Sequence, residues 1–164
     1  MTITPSQNKT LFDDLEALLT GQLILPDDAA YESVRQLWNG RVKTRPAAIA
    51  RCLTVEDVIH TVRWTREHGL PLSVRGAGHE IFGRSLRENG VAIDLSQMKT
   101  ITVDPVARTA QVQSGATAGE LIGAAEKHGL ATTTGTVSSV GMTGLTLGGG
   151  YGSLIGAYGL AADN

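Results

Sequence analysis

Cysteine is almost absent from this chain. Cys52 is the only one in 164 residues, so no internal disulfide can form. A reducing, cytoplasmic setting is the default expectation for such a sequence. An excess of charge of one sign is missing too. The net charge is −2 and charged residues make up only 18%, so no basic stripe marks a nucleic-acid partner. No apolar run approaches the roughly 20 residues of a membrane-spanning helix, and no membrane partner is expected. The start, Met1 to Lys9, lacks the basic-then-apolar order of a secretory signal. Internal repeats, charge blocks and low-complexity tracts are also lacking. What is present is a 41% hydrophobic fraction, enough for a core. The length suits one domain or part of a larger one.

Glycine is plentiful and uneven. Of 20 glycines, 13 lie in residues 115–164, where the only charged residues are Glu120, Glu126, Lys127 and Asp163. A flexible linker would be poor in apolar residues. This stretch carries Val137, Val140, Leu145, Leu147, Leu154, Ile155 and Leu160, which favours buried loops closed on a ligand.

Periodicity supplies the elements. Leu11, Leu15, Leu18 and Leu19 predict a helix over 10–20, ended by Gly21. Gln22 to Pro26 reads as an extended link. Asp27 or Asp28 is placed to cap a second helix that includes Val34, Leu37 and Trp38. Ala47 to Cys52 reads as a strand. Thr54-Val55-Glu56-Asp57 has the form of a capping box and opens a helix ending at His68-Gly69. Leu72 to Val74 is a strand. Beyond residue 90 the period becomes two: Val91, Ile93 and Leu95 alternate with Ala92 and Asp94, and Ile101/Val103 and Ala110/Val112 form two more strands around an Asp104-Pro105 turn. A helix over 117–128 closes at Gly129. The order suits an α+β fold better than strict βαβ repetition.

The chemistry concentrates in Val74-Arg75-Gly76-Ala77-Gly78-His79. Gly76 and Gly78 permit positive φ and close approach of ligand atoms to the main chain. Successive N–H groups in such a turn form an anion nest, and Arg75 adds a charge-assisted donor. Gly83 and Ser85 extend the loop. It is neither a Rossmann fingerprint, because Ile81 stands where a third glycine belongs, nor a P-loop. Taken alone, a plain strand-to-loop turn with an incidental histidine explains it equally well. His60, His68 and His128 sit on helices or at their ends and are not at metal-ligand spacing; their expected role is structural. Cys52 reads as a small buried apolar residue.

Arg75-Gly76-Ala77-Gly78-His79 resembles the Arg-Ser-Gly-Gly-His loop of FAD-linked oxidases of the vanillyl-alcohol-oxidase/PCMH superfamily, nearest the berberine-bridge-enzyme-like branch. Val91 to Ser96, Val112 to Ala116, Thr134-Gly135-Thr136, Val140-Gly141, Gly148 to Gly152 and Tyr158 to Asn164 follow in register, over roughly residues 30–164. The resemblance implies a PCMH-type FAD-binding domain, incomplete at the C-terminus. It implies that Arg75, Gly76, Ala77, Gly78 and His79 wrap the FAD pyrophosphate, with Gly83 and Ser85 further along the same loop as added cofactor-binding candidates. It implies that His79 bonds covalently to the 8α-methyl group of the isoalloxazine. Thr134, Gly135, Ser139, Val140, Gly141, Gly144, Gly148, Gly149, Gly150 and Gly152 would line the rest of the cofactor. The sequence departs from the family pattern at Gly76-Ala77, where Ser-Gly is common. Val137 stands where some members carry a second, cysteine tether, leaving His79 as the tethering residue.

The expected organisation is an N-terminal helical segment, 1–40, and a truncated FAD-binding domain, 41–164, with the cap or substrate domain absent. The expected function is the FAD-binding portion of an oxidoreductase that oxidises a small-molecule substrate by hydride transfer. The alternative is a non-catalytic module that self-associates or needs a complementing chain. The catalytic base is not among the residues identified, and no metal is expected.

Overall fold

The computed structural model describes residues 5–164, with side chains from Leu11 onward. The chain divides into two compact units, one running to Gln97 and one spanning Met98–Asn164. Both mix helix and sheet, as the α+β reading requires.

The first unit is a four-stranded sheet with helices. Helix α1, Pro5–Leu18, begins well before the predicted residue 10; proline is well suited to a first helical turn, where its missing N–H costs nothing. Strand β1, Gln22–Ile24, replaces the expected link and pairs antiparallel with β2, Ala48–Arg51. Helix α2 is only Tyr31–Arg35, with Ala30 at its start and no side-chain cap. Asp28, expected to cap it, instead accepts the Leu25 N–H at 2.6 Å. Leu37 and Trp38 therefore lie beyond the helix, which ends in extended backbone at Gln36. Helix α3, Val55–Glu67, has the predicted reciprocal Thr54/Asp57 capping box. Strands β3, Leu72–Arg75, and β4, Val91–Asp94, complete the sheet.

The strand order is β1-β2-β4-β3, with β2, β4 and β3 parallel. The alternation read at 91–95 is corrected here: all four residues of β4 are buried. A central parallel strand has both faces covered, so Ala92 and Asp94 are as enclosed as Val91 and Ile93. On one face Ile24, Ile49 and Ala92 pack with Tyr31, Leu37 and Leu86. Helix α3 lies against β4, and α1 against α3. The buried Asp57 carboxylate ties these layers together. It accepts N–H bonds from Thr20 at 2.7 Å, Gly21 at 3.2 Å, Leu53 at 2.8 Å and Thr54 at 3.1 Å.

In the second unit β5, Ile101–Asp104, and β6, Thr109–Val112, form an antiparallel hairpin. Helix α4, Ala118–Glu126, follows a Thr117/Glu120 capping box. Its Ala118, Leu121 and the following Met142 form a core with Ile101, Val112 and Leu145. The glycine-rich tail is not all loop: it contains helices α5, Met142–Leu147, and α6, Ile155–Tyr158, and a 3-10 turn, Ala161–Asp163. Among the described residues no helix is long and apolar enough to cross a membrane.

Candidate functional site

The first-loop residues sit in the first unit, where the sheet decides their place. β3 ends at Arg75, beside Asp94 of β4 and one strand away from Arg51 of β2. Ligand loops in open parallel sheets emerge from these carboxyl ends, and residues 76–90 do so as an irregular connection back to β4.

Of the two glycines expected to supply positive φ, only Gly78 does so, at 76°; Gly83 is the second such position in the loop, at 77°. Outside glycine, positive φ among the described residues falls on Asn89 and Arg108. Ala77 thus occupies the family's glycine position without backbone strain. At Gly83 an added Cβ would lie 2.7 Å from Val42 Cγ1, so this glycine serves the seating of the loop on residues 34–42.

That seating involves residues the sequence reading did not single out. The Arg75 guanidinium donates to the Val34 carbonyl and covers Gly78, where an added Cβ would meet Arg75 Nε at 3.2 Å and Leu37 at 3.5 Å. The Trp38 N–H donates to the Gly78 carbonyl at 3.0 Å. Asn39 Nδ2 donates to the Ile81 carbonyl at 2.7 Å. The Trp38 ring stacks on His79, with centroids 5.7 Å apart and planes 22° from parallel. Glu80 accepts the N–H groups of Phe82, at 3.0 Å, and Arg84. Its carboxylate therefore occupies two donors that an anion nest further along the loop would use. Apart from Asn39-Gly40, which is suited to stop a helix, no sequence signal pointed to this segment.

The remaining candidates lie in the second unit. Thr134, Gly135 and Gly152 come together: a Cβ on Gly152 would collide with the Thr134 carbonyl oxygen, and one on Gly135 with Leu145 Cδ1. Gly150, at φ 79°, would collide with Ala161. These glycines let the chain approach itself. Gly144 differs, for an added Cβ there meets nothing within 4 Å. Gly141 begins α5 and Gly148 ends it. Val140 receives the Ala118 N–H on its carbonyl at 2.9 Å, and Ser139 lies in the same loop, between α4 and α5. Two cavities, about 460 and 510 Å³, share Leu130, Ala131, Thr132 and Leu154; Thr134 and Gly135 line the larger. Tyr158 and Asn164 line the smaller. Asp163 and Asn164 hold the terminal turn, through the Leu160 N–H at 2.8 Å and the Tyr158 and Leu160 carbonyls at 2.8 and 2.9 Å.

Two of the other histidines are engaged by neighbouring groups. His68 stacks on Trp64 at 3.8 Å, and its Nδ1 lies 2.8 Å from the Trp64 carbonyl oxygen. His60 Nδ1 lies 3.0 Å from the Leu18 carbonyl oxygen. Cys52 is fully buried, and burial followed by the nearby Asp57 charge pushes its thiol up to about 12. It is not a nucleophile at neutral pH.

Each unit has a feature suited to a polar ligand. Ser85 Oγ in the first unit and Thr133 Oγ1 in the second are buried hydroxyls with no partner among the described residues, a state that ligand hydrogen bonds relieve. The surface over Gly144 is open backbone.

Comparison with known proteins gives a consistent result. The model of the FAD binding domain family matches residues 46–164. (R)-6-hydroxynicotine oxidase of Paenarthrobacter nicotinovorans is 40% identical over 146 residues, which is 89% of this chain and 32% of that protein. The crystal structure of 6-hydroxy-D-nicotine oxidase from Arthrobacter nicotinovorans matches with TM-score 0.87 and 40% identity, covering 89% of this chain and 32% of the other. Physcomitrella patens BBE-like 1 matches with TM-score 0.88 and 28% identity, covering 93% and 34%. The chain spans about a third of the length of the curated relatives it matches.

Proposed function

We propose that this chain, which belongs to the FAD binding domain family of FAD-linked oxidoreductases, holds FAD for the oxidation of a small organic substrate and bonds it through His79. The flavin supplies the redox chemistry, accepting a hydride equivalent from substrate. The protein's part is to bind, orient and shield it. In the first unit the loop of Gly78, His79, Gly83 and Ser85 would take the pyrophosphate and ring edge. In the second, Thr134, Gly135, Ser139, Val140, Gly141, Gly144 and Gly148–Gly152 are the further candidate cofactor-binding residues.

The observation that carries this reading is the position of His79. It follows the positive-φ Gly78 in a loop that leaves the carboxyl end of the parallel sheet, and its imidazole is partly exposed. A neutral imidazole nitrogen is nucleophilic near neutral pH. It would form a bond to the 8α-carbon of the ring system. Attachment would release one proton from the imidazole and one from the methyl carbon and would need a two-electron oxidant, for which dioxygen, reduced to hydrogen peroxide, would serve.

The test is the visible spectrum of the purified chain, with its intact mass after denaturation. A flavin spectrum with a mass increase of one FAD is expected, and His79→Ala should leave all bound flavin extractable by acid. Equal release from wild type and variant would refute the bond while keeping the cofactor. A colourless chain of unmodified mass would refute FAD binding itself.

A further inference from the structure

The geometry points to Trp38 as a positioning residue that sets the orientation of His79 for flavin attachment, an inference that rests on the FAD reading above. Its indole lies over the imidazole at 5.7 Å and 22°. Core packing does not account for this placement. Leu37 next to it is buried in the sheet core, whereas Trp38 is 67% exposed. The exposed indole has the imidazole as its ring partner.

The backbone reinforces the pairing independently. Helix α2 stops at Arg35, and the extended Gln36 frees the following residues to run along the loop. Trp38 then binds the loop one residue before His79, through Gly78, and Asn39 binds it two residues after, through Ile81. The segment thus grips both sides of the histidine and lays the indole on the ring between.

Forming a bond from an imidazole nitrogen to a carbon requires the ring to face that carbon. A histidine ring turns about two side-chain torsions. Stacking on Trp38 restrains that rotation, and prepaid orientation of a reacting group lowers the barrier to bond formation. A centroid separation of 5.7 Å with nearly parallel planes is an offset stack, one of the preferred arrangements of aromatic pairs. Phenylalanine would retain such a face, whereas leucine would not. Because the loop is held by the main-chain N–H of residue 38, either substitution leaves that anchor in place.

The experiment incubates the chain with FAD and follows attachment by intact mass after denaturation. Trp38→Leu is expected to take up FAD, seen by absorbance, but to attach it about tenfold more slowly; Trp38→Phe should attach it near the wild-type rate. In the FAD-free wild type, nuclear Overhauser contacts between indole and His79 ring protons are expected, and they do not depend on any variant folding. Their absence, or attachment by Trp38→Leu at the wild-type rate, or equal impairment of both variants, would overturn the role of Trp38 while leaving the FAD reading intact. Wild-type chain that binds FAD without gaining mass would instead overturn the tether, and the positioning role with it.

Discussion

Glycine has two different uses in this chain, and substitution separates them. Gly83 combines φ 77° with a Cβ site 2.7 Å from Val42. Gly83→Ala should lower stability by about 2 kcal/mol, from backbone strain and crowding together. Urea denaturation at neutral pH measures it. Gly144 lies inside α5 with open space beside it. Gly144→Ala should stabilise the FAD-free chain by about 0.5–1 kcal/mol, the ordinary helix gain. The same methyl group should weaken FAD uptake if cofactor passes over this backbone, and a titration on the variant shows whether the two effects have opposite signs. The sequence revealed where glycines cluster but not which use each serves. That depends on partners far along the chain, such as Val42 for Gly83 or Ala161 for Gly150. Trp38 was hidden for the same reason: its spacing fits a helix, and only the end of α2 at Arg35 releases it toward His79.

Elements with a local signal were legible, and those set by distant pairing were not. Helix α3 has both its capping box and its apolar spacing written within a few residues. β1 is three residues long and exists because β2 pairs with it. β4 looked half-exposed because Ala92 and Asp94 alternate with larger residues, yet as a central strand it has both faces covered and all four residues buried. Helix α5, with two threonines and a glycine in six residues, has little intrinsic preference to announce it. Asp57 ties the start of α3 to the α1–β1 turn. Burial works to raise its pKa, but N–H bonds from Leu53, Thr20, Thr54 and Gly21 outweigh it, and the pKa is lowered overall. A carboxylate depressed in the folded state stabilises above its ordinary value, about 3.9, and loses that contribution as pH falls through the folded value. Asp57→Asn should therefore cost about 3 kcal/mol at pH 7, from weakened acceptors and unmet donors. The gap from wild type should narrow below about pH 4. Denaturation midpoints across that range give the comparison.

At the scale of the whole molecule, FAD should act as a folding ligand. Binding to the native state alone raises stability by about 2.7 kcal/mol when FAD is at 100 times its dissociation constant. A rise in melting temperature that grows with FAD concentration is the expected signature. The second unit also exposes large apolar groups, with Leu147 at 86%, Tyr151 at 72% and Tyr158 at 64%. Exposed apolar groups of this size are prone to association, the route by which the alternative, a self-associating module, would pair. Sedimentation velocity with and without FAD distinguishes the two: a monomer in both states removes it, and a dimer that FAD dissolves makes self-association a property of the unloaded chain.

Strand β4 lies between β2 and β3 in space but after both in sequence. During synthesis β2 and β3 emerge with no partner for their facing edges, and the sheet has a gap until Val91–Asp94 leaves the ribosome. Folding of this half therefore waits on its last strand, which must enter a slot rather than extend an edge. Non-local closure of this kind slows folding, and open strand edges invite aggregation while it lasts. The connection carrying His79 is the tether that delivers the closing strand. Cutting between Gly83 and Gly90 should thus block refolding far more than it weakens an already folded chain.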